Sequence, residues 1–113
     1  MGLKPHAVMD LGTLTIAENG TASDSLDFRG WRSGLDAIII SGPGTLTGTV
    51  KVQVSHDAGV TWKDKQSAGA DITIPADGSV TIKSVDRGLL RLLSGSAEGA
   101  ARAFIIQGEE NAS

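Results

Sequence analysis

The 113-residue sequence contains no cysteine and no tyrosine, and its large aromatic residues are two phenylalanines and two tryptophans. Without cysteine there is no disulfide, no thiolate chemistry and no cysteine-based zinc site. With few aromatics, the apolar content falls to Val, Ile, Leu and Ala, which favours sheet over helix. No apolar run approaches the ~20 residues that a spanning helix requires, so no membrane role is expected. The opening MGLKPHAVMDLG holds no apolar stretch of the secretory kind. Ten basic residues are scattered among thirteen acidic ones for a net charge of −3. No Lys/Arg cluster stands ready to neutralise a run of phosphates, and nucleic-acid binding is not expected.

What is present is turn chemistry and alternation. Fifteen glycines punctuate short apolar stretches, and the length suits one domain rather than two. The central signal is LTGTVKVQVSHDAGVTW, Leu46 to Trp62. Leu46, Val50, Val52 and Val54 share one parity, and Thr45, Thr47, Thr49, Lys51 and Gln53 the other, which is the period of a half-buried strand. Ser55 to Trp62 reads as a tight loop into a return strand, with Asp57 accepting backbone N–H groups and Gly59 taking positive φ. Trp62 is expected to fold back as an anchor on the core side.

Similar short alternating runs fill the rest. Leu14 and Ile16 precede an Asn19-Gly20 turn, a strong hairpin signal, and Leu26 and Phe28 follow as inward residues. Asp36 to Ser41, DAIIIS, is apolar throughout and reads as a central strand. Ile72 and Ile74 lead into the Pro75-Ala76-Asp77-Gly78 turn, then Val80 and Ile82. Leu89 to Leu93 carries leucine on both faces, so it is either central or part of an interface. SGSAEGAA, residues 94–101, is the one place for a short helical turn, and its glycines oppose a real helix. Phe104 and Ile106 close the pattern. The reading is an all-β chain: a single-domain antiparallel β-sandwich, jelly-roll or Ig-like, of about eight strands. Residues 1–10 form an N-terminal arm, 11–107 the sandwich, and 108–113 a flexible acidic tail.

The chemistry-bearing residue types do not assemble into a reaction centre. His6 and His56 lie ~50 residues apart without the spacing of metal ligands, and His56 and Asp57 are adjacent in an extended segment, so they point to opposite faces. No Gly-x-Ser-x-Gly elbow or phosphate-binding loop occurs. Asp24, Asp27, Asp36, Asp64, Asp71, Asp77 and Asp86 fall at strand ends, turns or solvent-parity positions. The sequons at Asn19 and Asn111 are read as chance. No catalytic residue, cofactor or metal is assigned, and the protein is expected not to be an enzyme. Arg29-Gly30-Trp31-Arg32 places an aromatic among arginines, the residue types enriched in interface hot spots. Arg29, Trp31 and Arg32, with the outer parity Leu89, Arg91 and Leu93, form the candidate interface.

Ser55, Asp57, Gly59, Thr61 and Trp62 match the Asp-box, S-x-D-x-G-x-T-W, which resembles the hairpins of sialidase-like propellers. One copy in a chain this short excludes a propeller, and only the local hairpin carries over. From about Ile16 to Gln107 the chain resembles small virion proteins of tailed bacteriophages. An "aidlrG" element corresponds to Leu26–Gly30, "ltfqvS-DGG-tW" to Val50–Trp62, and "e-tipa" to Ile72–Ala76. The pattern closes with "lrlrSGta", matching Leu90–Ser96, and "R-f-l", matching Arg102–Ile106; Leu93 departs from a frequent arginine. The resemblance implies a capsid decoration or cement protein, a homo-oligomer with a trimer favoured, made in the host cytoplasm and bound to the major capsid protein or other virion subunits. The alternatives are a head–tail joining, tail or fibre-associated subunit, or a carbohydrate-binding module.

Overall fold

The alternation becomes two packed sheets. The computed structural model describes residues 8–29, 35–83 and 85–110. Among them run eleven strands: β1 (Val8–Ile16), β2 (Leu26–Asp27), β3 (Leu35–Ser41), β4 (Val50–Ser55), β5 (Lys63–Asp64), β6 (Gln66–Ser67), β7 (Ala70–Asp71), β8 (Thr73–Ile74), β9 (Ser79–Ile82), β10 (Leu89–Ser94) and β11 (Arg102–Glu110). Sheet A has the order β1-β11-β3-β9; sheet B has β2-β10-β4-β5, with β8 also on β4. Every pairing is antiparallel. The two-residue strands β5, β6 and β7 are an excursion between β4 and β8. Without them eight strands remain, and the outermost partners pair first: β1 with β11, β2 with β10, β3 with β9, β4 with β8. That nesting is one long antiparallel ribbon rolled up, the jelly-roll form of the sandwich.

The inward parity of both sheets forms the core. Sheet A supplies Leu14, Ile16, Ile38, Ile40, Ile82, Phe104 and Ile106, and sheet B supplies Val50, Val52, Ile74, Leu90 and Leu92. Phe28, just after β2, completes the cluster. Each side chain buried this fully contributes roughly 1.5–3 kcal/mol. β3 is central in sheet A and β10 in sheet B, as their apolar runs require.

Several boundaries differ from the sequence reading. β1 begins at Val8 and β11 runs to Glu110, because Val8 pairs with Glu109 and Met9 with Gly108. Three residues assigned to the arm and three assigned to the tail therefore belong to the sheet. The Asn19-Gly20 turn forms, with Asn19 at φ 66°, yet it closes no extended hairpin. After one bridge between Ile16 and Ser23 the chain crosses to sheet B, where β2 joins β10. On the free side of β1, the Asp24 carboxylate accepts the Thr15 N–H at 2.9 Å, which caps a donor that an edge strand would otherwise offer to another chain. The alternation from Leu46 to Thr49 is not strand: β4 starts at Val50.

The reason lies in the 94–101 segment, which forms no helical turn and instead buries Glu98 completely. One Glu98 oxygen accepts the Thr47 N–H at 2.8 Å and Arg102 Nε at 2.8 Å. The other accepts the Gly48 N–H at 2.9 Å and the Ser94 hydroxyl at 2.7 Å. The Glu98 N–H bonds the Gly20 carbonyl at 3.0 Å, and its carbonyl accepts the Asn19 N–H at 2.7 Å. Through its carboxylate and its backbone, Glu98 thus ties three loops together at one end of the sandwich. Gly48 is required there, since a Cβ would lie 2.7 Å from the Ser96 nitrogen and would strike the Ser94 hydroxyl.

Candidate functional site

The outward parity of sheet B carries the Asp-box hairpin and half of the expected interface. Val54 faces the core, so Ser55 faces out, and the hairpin that follows lies over the outer surface. Ser55 is buried beneath it. The Ser55 hydroxyl donates to Asp57 Oδ1 at 2.7 Å and accepts the Gly59 N–H at 2.8 Å. Asp57 Oδ1 also accepts the Thr61 N–H at 2.8 Å. Ala58 and Gly59 both take positive φ, 61° and 90°. The Thr61 hydroxyl and N–H, then the Ser55 hydroxyl, hold the Asp57 carboxyl down at about 2. Ser55, Asp57, Gly59 and Thr61 are therefore brought together as the motif requires.

Trp62 is not where the sequence reading placed it. It lies outside the core cluster, half-buried on the outer face, with the Arg91 guanidinium 4.3 Å from the centre of its ring. The fold leaves it no inward route, because the hairpin springs from an outward residue. Arg91, Gln53 and Asp64 then stand in one row across β10, β4 and β5. Arg91 Nε donates to Gln53 Oε1 at 2.9 Å, and Gln53 Nε2 donates to Asp64 Oδ1 at 2.9 Å. Lys51 bridges Asp71 at 3.1 Å and Asp64 at 3.6 Å. Asp71 raises the Lys51 pKa, and burial lowers that of Arg91. Gln53, expected to face solvent, is consequently covered.

The candidate interface residues divide. Leu89, Arg91 and Leu93 do share the outer face of β10 and are half-buried. Leu89 is already partly covered by the hairpin, its Cδ1 lying 3.5 Å from where a Cβ on Gly59 would stand. Arg29 is turned back onto Asp27, with Nε to Oδ1 at 3.0 Å and Nη2 to Oδ2 at 2.8 Å, which lowers the Asp27 pKa to about 2. Trp31 and Arg32 lie outside the described residues. Swapping Trp62 for Ala and Arg91 for Met, singly and together, is expected to give a coupling of about 0.5–2 kcal/mol in urea unfolding, the range for a cation over an aromatic face.

The outer face of sheet A has the opposite character. Thr13, Ile105, Ser41 and Ser79 form one row, and Asp10, Gln107, Ile39 and Thr81 the next, with Thr15 beside Ala103. Of these ten side chains only Asp10, at the β1 edge, is charged, and Ile105 is 51% exposed. Sequence reading missed this face because each of its residues looks like ordinary solvent parity; only the register gathers them.

His56 pairs with Asp86 rather than Asp57, Nε2 to Oδ2 at 3.1 Å, and Lys65 holds the other Asp86 oxygen. Among the described residues no three His, Asp or Glu side chains converge as metal ligands. No protein-family model matches the chain, and no curated protein matches it. Among solved structures, the chain is similar to the crystal structure of Yersinia pseudotuberculosis-derived mitogen (YPM), at 10% identity and a TM-score of 0.47, covering 98% of this chain and 90% of that one.

Proposed function

We propose that this chain is a non-enzymatic structural subunit of a phage virion, acting as a capsid decoration or cement protein. The observation that carries the reading is the uncharged centre of the outer face of sheet A, with Ile39 half-buried and Ile105 half-exposed in it and the carboxylates Asp10 and Glu109 at its border. In a chain of net charge −3, a face of threonine, serine and isoleucine suits docking against another protein surface without like-charge repulsion. The phage resemblance supports it from the sequence side: its elements fall on β2, β4 with the Asp-box hairpin, β8, β10 and β11. Binding to neighbouring capsid subunits would stabilise the shell by mass action.

The N-terminal segment read as an arm, residues 1–10, is a second candidate contact, of which residues 1–7 lie outside the described residues. The carbohydrate-binding alternative is left without an aromatic platform among the described residues, because Phe28 and Phe104 are core and Trp62 lies under Arg91.

The test is quantitation of the chain in purified particles of the phage that encodes it. Copies in the hundreds support decoration, whereas six or twelve point to a joining or tail ring, and absence overturns the virion role. Ile105→Arg is expected to abolish co-sedimentation with capsids while leaving the circular dichroism spectrum unchanged; retained binding removes sheet A as the docking face.

A further inference from the structure

Sheet A ends at β9, which has no strand on its other side among the described residues. Beside that edge, the β6–β7 hairpin leaves a partly open groove of about 380 Å³, within the size range of ligand sites. Ile72 and Val80 supply its apolar surface, both half-buried. Lys65 and Lys83 also line it, and no carboxylate does. Lys65 shares its charge with Asp86, while Lys83 has no ion-pair partner among the described residues.

We infer that this groove receives an extended acidic segment of a partner protein, added as a further strand along β9. Three independent features converge on that occupant. The open edge presents backbone donors and acceptors, which select polypeptide. Side chains of an added strand alternate in direction, so an aliphatic residue can enter between Ile72 and Val80 while acidic ones meet the lysines. Lys83, whose charge no described carboxylate neutralises, favours negative charge in a net-negative chain, and one such lysine is too few for a nucleic-acid backbone. A lysine on an exposed edge discourages apolar strands; the same charge attracts an acidic one. The inference stands apart from the virion role and survives its failure.

The probe is fluorescein-labelled acetyl-Glu-Val-Asp-Val-Glu-amide, titrated with the full chain by fluorescence polarisation. Saturable binding is expected, weakened about tenfold by Lys83→Glu and lost when alternate peptide nitrogens are methylated to block strand addition. Lys63→Glu, away from the groove, serves as the control and is expected to leave binding unchanged. Amide shifts in the NMR spectrum are expected at Ile72 and Val80–Lys83. No saturable binding, equal binding by Lys83→Glu, or equal binding of the methylated peptide overturns the inference.

Discussion

Glu98→Ala is expected to lower unfolding stability by about 3–5 kcal/mol, because it leaves Arg102 Nε and the part-buried Thr47 and Gly48 N–H groups without their acceptor. Total stability for a domain of this size is roughly 5–15 kcal/mol, so the variant is expected at the edge of folding. Glu98→Gln keeps the shape and some of the bonds and provides the readable comparison. Burial raises the Glu98 pKa, but the Thr47 N–H, the Ser94 hydroxyl, the Arg102 guanidinium and the Gly48 N–H outweigh it and bring it from 4.5 to about 2. A depressed folded-state pKa contributes stability above the unfolded value and loses it as pH falls through the folded one. Glu98 therefore contributes on the order of 3 kcal/mol at neutral pH, lost progressively between about pH 5 and pH 2. Asp27 and Asp57 titrate in the same window, so the measurement is a difference: urea unfolding of the native chain and Glu98→Gln at pH 7 and pH 3. The gap between them is expected to narrow at low pH. An equal gap at both values would show that the carboxylate charge is not what holds Thr47 and Gly48 to Ser94 and Arg102.

Phe104→Ala is expected to cost about 3–5 kcal/mol, the range for emptying a fully buried aromatic site. Phe104 is fully buried on β11, opposite Leu14, and β11 is the strand that joins β1 to β3. Its neighbour Ile105 points the other way. Ile105→Thr is expected to change stability by no more than about 0.5 kcal/mol, as for other surface positions. The pair tests the sheet's parity directly. Similar losses at both positions in chemical denaturation would mean that the register is displaced by one residue.

Period-two alternation was enough to assign the inward residues of β1, β4, β10 and β11, since each of those strands carries its apolar residues on one parity through most of its length. Turn chemistry was legible wherever a residue carries its own conformational signature, as at Asn19, Gly59 and Asp77, all with positive φ. Leu46–Thr49 shows where alternation misleads. The apolar parity continues, but the Thr47 and Gly48 N–H groups go to a carboxylate 50 residues away or more, and nothing local announces that. Trp62 fails for a related reason: a motif specifies the hairpin, and the parity of the preceding strand decides which side it covers. Glu98 has one sequence trace, the arginine four residues on, and no signal that the pair is inside. Both outer faces depend on register, which a single strand does not contain.

The nested pairing has a consequence for synthesis. Among the described strands β1 is made first, yet its partner β11 is made last. Until β11 emerges, β1 has no ladder to join and β3 lacks a neighbour on one side. Ribosome-bound chains halted before residue 102 are thus expected to remain protease-sensitive and to expose apolar strands, with the final fold closing only once β11 is available. Such high contact order places folding on the millisecond-to-second scale.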